Sequence, residues 1–241
     1  MQKALMDIFA RTEMLIGPRA VEKLAKAHVA VFGVGGVGGF AAEALARSGI
    51  GQISVFDNDT VAESNVNRQI IATTDNIGKY KVDVLCERLK AINPAIKVNA
   101  HNVFYLPENA DKYPLNDYNY IVDAVDTVSA KLALIEGATV AKVPVVSSMG
   151  TGGKLDITAL RVANIFKTSG CPLARVMRRE LKARGINDLK VVYSEEPAAN
   201  LGTVCEGEWG KTKAQIPSMI FVPAAAGLML AREVVLDLIK E

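Results

Sequence analysis

The sequence predicts an α/β protein: a doubly wound, Rossmann-like sheet, mostly parallel, with helices on both faces and an antiparallel C-terminal extension. Three observations predict it. Short runs rich in Val and Ile alternate with amphipathic stretches of helical period, in strand-then-helix order as far as Ser148. The first run, Val29–Phe32, leads into a glycine-rich turn with Gly33, Gly35 and Gly38 in G-x-G-x-x-G spacing, followed by a helix over Gly39–Ser48. The next run, Ile53–Phe56, ends in an acid, Asp57.

Two short helices, Leu5–Gly17 and Pro18–Ala27, precede this unit, the second opened by a proline suited to a first helical turn. After Asp57, NDTVAESNVNRQ is rich in Asn, Asp and Ser, which favour turns over regular structure. A helix follows over Asn76–Ile92, where Val82, Leu85, Leu89 and Ile92 form one stripe before Asn93-Pro94 stops it. Strands are predicted at Ile96–Ala100, Tyr120–Asp123 and Val143–Ser148, with a helix over Thr127–Ala141. Beyond the glycine-rich Met149–Gly153 the pattern changes. Leu155–Ile165 reads as one or two antiparallel strands, Pro172–Gly185 as a helix, Leu189–Tyr193 as a strand, and Ala224–Ile239 as a helix packed on the sheet. Ser194–Gln215 has little periodicity and reads as a loop or lid. We treat residues 1–241 as one domain, with a nucleotide-binding core over 1–153 and an extension over 154–241 facing the acceptor.

Composition narrows the class. The 241 residues are 50% hydrophobic but only 6% aromatic, as a sheet built from Val, Ile and Ala requires. A net charge of +2 permits an acidic partner without demanding one. Three cysteines, Cys86, Cys171 and Cys205, make no disulfide framework and fit a reducing, cytoplasmic setting. Met1–Ala10 reads as an amphipathic helix rather than a leader, and Ile216–Ala231 is broken by prolines, so a soluble chain without a transmembrane segment is expected.

The glycine turn is a phosphate cradle in mechanical terms. Its first glycine permits the tight turn, the second lets backbone approach a phosphate, and the third lets the helix close on the strand, whose N-terminal dipole then faces the anion. Asp57 falls where an acid accepts ribose hydroxyls. Hydride transfer would need no more than this. Here, however, Asn65, Asn67, Arg68 and Gln69 follow the second strand, Lys81 lies a turn into the next helix, and Asp126 follows a later strand. If these converge, Arg68 and Lys81 neutralise a triphosphate while Asp126 holds Mg²⁺, which favours nucleotidyl transfer from ATP.

The runs GVGGVGG, DNDTVAESNVNRQ, NIGKYK and DAVDT, in this order, resemble the adenylating enzymes similar to the ubiquitin-activating enzyme, including those of thiamine and molybdopterin biosynthesis. The resemblance spans roughly Leu5–Gly153. It implies an ATP site formed by Gly33, Gly35, Gly36, Gly38, Asp57, Asp59, Asn65, Arg68, Gln69 and Lys81, with Mg²⁺ on Asp126 near the α-phosphate. It also implies a homodimer in which Arg11 reaches the partner's ATP, so that Arg11, Arg68, Lys81 and Asp126 form the catalytic set.

The C-terminal third is similar to the tRNA threonylcarbamoyladenosine dehydratases, in MGTGGKLD, in CPLARVMRRELKARGI followed by LKVVYSEEP, and in FVPAAAGLMLAREVV. That implies a substrate tRNA carrying threonylcarbamoyladenosine. Cys171 and Cys205 are the thiols that could serve sulfur exchange with a relay partner. The cations Arg175, Arg178, Arg179 and Lys182 are the candidate tRNA contacts on the predicted helix. Two alternatives stay open. One is an adenylyltransferase for a sulfur-carrier protein, against which the absence of any C-x-x-C pair weighs; the other is a non-catalytic NAD(H)-binding module.

Overall fold

A computed structural model describes residues 8–199 and 216–240. After helices α1 (Ala10–Ile16) and α2 (Pro18–Lys26), the chain alternates through β1 (His28–Phe32), α3 (Gly38–Arg47), β2 (Gln52–Phe56), α4 (Lys81–Ile92) and β3 (Lys97–His101). It continues with β4 (Tyr120–Asp123), α5 (Val128–Ala141), β5 (Val145–Ser148), β6 (Leu160–Asn164), α6 (Pro172–Ala183), β7 (Lys190–Ser194) and α7 (Phe221–Ile239). The strands form one seven-stranded sheet in the order β3-β2-β1-β4-β5-β7-β6. Every pairing is parallel except β6 with β7. The expected doubly wound sheet with an antiparallel edge is therefore present, and the reversal of strand order falls between β1 and β4, where such sheets bind ligands.

Burial on both faces explains the near-continuous apolar strands. Successive β1 residues point to opposite sides: Val29 and Val31 join the core beneath α3, α4 and α7, while Ala30 and Phe32 join the core beneath α5. β4 repeats this, with Tyr120 and Val122 on one side and Ile121 on the other. A third core gathers Met177 and Leu181 of α6 against Val191 and Tyr193 of β7. Helix α7 crosses α3 closely enough that a Cβ on Gly227 would lie 2.4 Å from the Val37 carbonyl oxygen.

At the carboxyl ends of β4 and β5 a fully buried ion pair ties the strands together. Lys131 Nζ reaches Asp123 Oδ2 at 3.0 Å, Ser147 Oγ at 3.2 Å and the Ser148 carbonyl at 2.8 Å, while Ser147 donates to the same carboxylate at 2.5 Å. Each ammonium proton has an acceptor, the condition under which a buried charge is tolerated.

Several boundaries differ from the sequence expectation. The helix expected over Asn76–Ile92 starts at Lys81. Its intended first turn bonds elsewhere: Gly78 N–H donates to Val61 O, Val61 N–H to Lys79 O, and Lys81 N–H to Asp59 O. These bonds fasten residues 78–81 to the loop after β2 and make Lys81 the first helical residue, not one a turn inside. Leu155–Ile165 yields one strand, because Asp156 accepts from Thr158 N–H at 2.8 Å and caps a 3₁₀ turn over Ile157–Ala159 instead. The final helix begins at Phe221, earlier than Ala224, with Pro223 in its first turn where no backbone donor is lost. The expected helix over Met1–Ala10, the loop or lid over Ser194–Gln215 and Cys205 lie wholly or partly outside the described residues.

Candidate nucleotide site

A cleft of about 810 Å³ opens at the carboxyl ends of β1, β2 and β4. The glycine turn forms its floor. Gly33 has φ +87°, and a Cβ there would lie 2.6 Å from the Ala124 carbonyl oxygen, so only glycine fits. A Cβ on Gly38 would sit 1.8 Å from Gly33 O; this glycine closes α3 onto the turn from behind and does not line the cleft. Gly35 and Gly36 do line it, and a side chain on Gly35 would project into open space. Backbone is thus offered to a ligand at Gly35, as a phosphate needs.

Asp57 at the end of β2 bridges this floor to the next loop. Its Oδ2 accepts from Val34 N–H at 2.7 Å and its Oδ1 from Asp59 N–H at 2.9 Å. Asp59 in turn pairs with Lys81, Nζ to Oδ2 2.7 Å. Arg68 is half-buried and donates through Nη1 to the Ser64 carbonyl at 2.6 Å and to Asn67 Oδ1 at 3.0 Å, both uncharged acceptors. Asn65 is buried and caps its own loop by accepting from Ala62 N–H at 3.1 Å. Gln69 is buried with Oε1 lacking a hydrogen-bond partner among the described residues. An unmatched buried carbonyl costs about 1–3 kcal/mol, so it is a group for a ligand to satisfy.

All the expected nucleotide-site residues except Gly38, Asn67 and Arg11 line this one cleft, Asp126 included. Arg11 is exposed on α1 and borders no part of its own chain's cleft. Among the described residues no three His, Cys, Asp or Glu side chains gather as a metal site. Mg²⁺ usually takes one or two carboxylates plus substrate phosphates, and Asp126, whose carboxylate accepts only from Thr127 among the described residues, fits that habit.

Sequence reasoning missed two walls. Val103, Phe104 and Tyr105 follow β3 and face the side of the cleft bounded by Phe56 and Asp57. The signal was available, since they lie just past a parallel strand's carboxyl end. Met149–Gly152 and Leu173 line the opposite side. This loop is held from the extension: Glu196 accepts from the backbone N–H groups of Leu155 and Asp156, and the buried Lys154 donates to Ser194 O at 3.0 Å. Burial pushes the Lys154 pKa below that of a free lysine, against the opposing pull of Cys171 and Glu196. Asn67 Nδ2 also donates to Ser218 O at 2.9 Å, joining the loop after β2 to the approach of α7.

The four cations proposed on α6 separate into two sets. Arg175, Arg179 and Lys182 are exposed at i, i+4 and i+7 on one face, opposite the buried Ala174, Met177 and Leu181. Arg178 differs: it is half-buried and donates to the Thr168 carbonyl at 2.9 Å and to the Thr168 hydroxyl, so its charge serves the fold.

Comparison with known proteins identifies the family. The profile of the ThiF family matches residues 9–239. The tRNA threonylcarbamoyladenosine dehydratase of Bacillus subtilis is 39% identical over 245 residues, covering 98% of this chain and 96% of that one. The chain belongs to the ThiF family, and within it to the tRNA threonylcarbamoyladenosine dehydratases. The Escherichia coli dehydratase is 41% identical over 82% of this chain and 78% of its own. The crystal structure of that E. coli enzyme in complex with ATP superimposes with a TM-score of 0.88 at 35% identity, over 98% of this chain and 95% of that one. A sulfur carrier protein adenylyltransferase of Thermus thermophilus is more distant, matching 60% of this ThiF-family chain at 34% identity. Among the described residues, no helix is long and apolar enough to cross a membrane.

Proposed function

We propose that this chain catalyses the ATP-dependent dehydration of N6-threonylcarbamoyladenosine at position 37 of tRNA to its cyclic hydantoin. The carrying observation is that the dehydratase likeness runs through both the phosphate cleft and the extension that holds its acceptor wall, 98% of the chain. A carboxylate oxygen of the threonyl group attacks the α-phosphorus of ATP and pyrophosphate leaves, giving an acyl-adenylate. The ureido nitrogen of the same nucleoside then attacks the activated carbonyl, loses its proton, and AMP departs with the original carboxylate oxygen. Holding both groups on one nucleoside makes closure unimolecular, so no cysteine nucleophile is required. ATP is bound by Gly35, Gly36, Asp57, Asn65 and Gln69, and Arg68 and Lys81 offset charge building on the phosphoryl oxygens. Mg²⁺ bound through Asp126 would supply further charge neutralisation there.

The family resemblance and one surface feature support a homodimer. Met14 and Leu15 are 87% and 84% exposed, and at i+3 and i+4 from Arg11 they lie on its side of α1. A second copy covering this apolar face would carry Arg11 to its cleft. The exposed α6 cations then follow tRNA phosphates, and work on tRNA supports a cytoplasmic location. A sulfur-relay partner would need an accessible thiol, and Cys171 is buried.

The deciding experiment is AMP release from ATP with unmodified and with threonylcarbamoylated tRNA. Release with the modified tRNA alone is expected. Adenylation of a sulfur carrier's C-terminus instead, or NAD binding without AMP formation, would refute the proposal. For the shared site, mixing inactive Arg11→Ala and Asp126→Ala chains should restore about a quarter of the sites, since half the dimers are mixed and each has one intact site. No recovery would refute sharing.

A further inference from the structure

The cleft's lysine already carries an anion. The Lys81 side chain is 6% exposed, whereas that of its partner Asp59, 2.7 Å away, is 64% exposed, and both line the cleft. The pairing is built into the backbone: Lys81 N–H donates to Asp59 O at 3.0 Å, and Asp59 N–H donates to the Asp57 carboxylate at 2.9 Å. Neither contact follows from nearness along the chain, because the partners are separated by the polar loop and meet through the bonds that displace the start of α4. Arg68 stands in contrast, since among the described residues its guanidinium bonds only a carbonyl and an amide oxygen and retains its positive charge for a ligand.

A polyphosphate has the same sign of charge as Asp59, so the two compete for one ammonium. Lys81 is anchored at the head of α4 and buried along its stem; the exposed carboxylate is the member with room to move aside. We propose that Asp59 is a positioning residue that acts on bound phosphates through Lys81, competing with ATP and with pyrophosphate for its ammonium. When the pyrophosphate bond breaks, re-pairing of Asp59 with Lys81 favours release of the product. The inference rests on the ATP reading of the cleft and adds what sets the strength of its hold.

The test is calorimetric binding of inorganic pyrophosphate and of ATP, at one fixed Mg²⁺ concentration, to the full wild-type chain, Asp59→Asn, Lys81→Met and the double variant. Asp59→Asn should bind pyrophosphate about five-fold tighter or more, the factor a half-exposed charge pair is worth, and the gain should vanish on the Lys81→Met background. With modified tRNA, the same variant should show a lower KM for ATP and stronger product inhibition by pyrophosphate, which a merely structural role would not produce. Unchanged or weaker binding by Asp59→Asn overturns the inference, as does a gain that persists without Lys81, which would mean that Asp59 repels phosphate directly. Should the wild-type chain bind neither ligand, the ATP reading and the inference fall together; binding without the Asp59 effect overturns the inference alone.

Discussion

The two ends of the sheet both carry charged clusters beside a cavity, and they differ in how the charge is balanced. At the amino end, beside a cavity of about 310 Å³, Tyr120 donates to Asp237 Oδ2 at 2.7 Å, and Lys190 reaches Asp237 at 2.5 Å and Glu233 at 3.2 Å. Lys240 takes the other Asp237 oxygen at 2.5 Å. This cluster is closed on itself. Among the described residues at the carboxyl end, Arg68 meets only neutral acceptors, Asp126 accepts only from its neighbour Thr127, and Gln69 Oε1 is unmatched. A cavity by itself therefore does not mark the site; uncompensated charge and unmet hydrogen bonds in a cavity do.

Removing a charge at each end breaks the comparison most directly. Asp126→Ala and Arg68→Ala should each lower AMP-forming kcat/KM by about 10²-fold or more, the usual scale for a preorganised group facing transition-state charge. Both should leave the thermal midpoint near wild type, because neither side chain pairs with an opposite charge among the described residues. Near-normal turnover of either variant refutes its role, and loss of the fold would move the residue to the structural side of the comparison.

The amino end should respond the other way, in stability and with pH. Burial raises the Asp237 carboxyl, but hydrogen bonds from Lys190, Lys240 and Tyr120 outweigh it and bring the pKa to about 2, from an ordinary 3.8. A depressed carboxylate stabilises the fold above its unfolded pKa and loses that contribution as pH falls through the folded value. Asp237→Asn should therefore cost about 2 kcal/mol at pH 7, with AMP formation unaffected, and the deficit should shrink between about pH 4 and pH 2. Urea unfolding at both pH values checks this; a deficit independent of pH would place the effect in packing rather than charge.

The contrast also shows what was legible in the sequence. The cleft was readable because its parts are local: Gly33 and Gly38 have backbone jobs that only glycine fills, and Asp57 ends a strand whose neighbour is fixed by the parallel order. The amino-end cluster was not, since Tyr120 and Asp237 meet across 117 positions, and the strand and helix patterns that carry them do not say which side chains pair. The head of α4 misled for a related reason. Helical periodicity records which side chains are buried, and it is blind to backbone donors at Gly78 and Lys81 that pair with the loop after β2. On α6 the spacing placed four cations together, but only the neighbouring Thr168 reveals that Arg178 faces inward.

That last distinction carries the smallest expected effect and the sharpest contrast between neighbours. Arg175, Arg179 and Lys182 share one exposed face, so each Ala substitution should weaken tRNA binding modestly and lower the slope of log K against log salt by up to about 0.9, one phosphate contact apiece. Arg179 should contribute least of the three, because its guanidinium is partly engaged by Glu180 at 2.8 Å. Arg178→Ala should instead cost about 1 kcal/mol of stability through its lost bonds to Thr168, and leave the salt slope as it is. Filter binding across a salt series, run beside thermal unfolding, separates the two behaviours. Equal salt slopes for all four variants would mean that the inward arginine is released to the RNA on binding; no change for the outer three would remove α6 from the tRNA surface altogether.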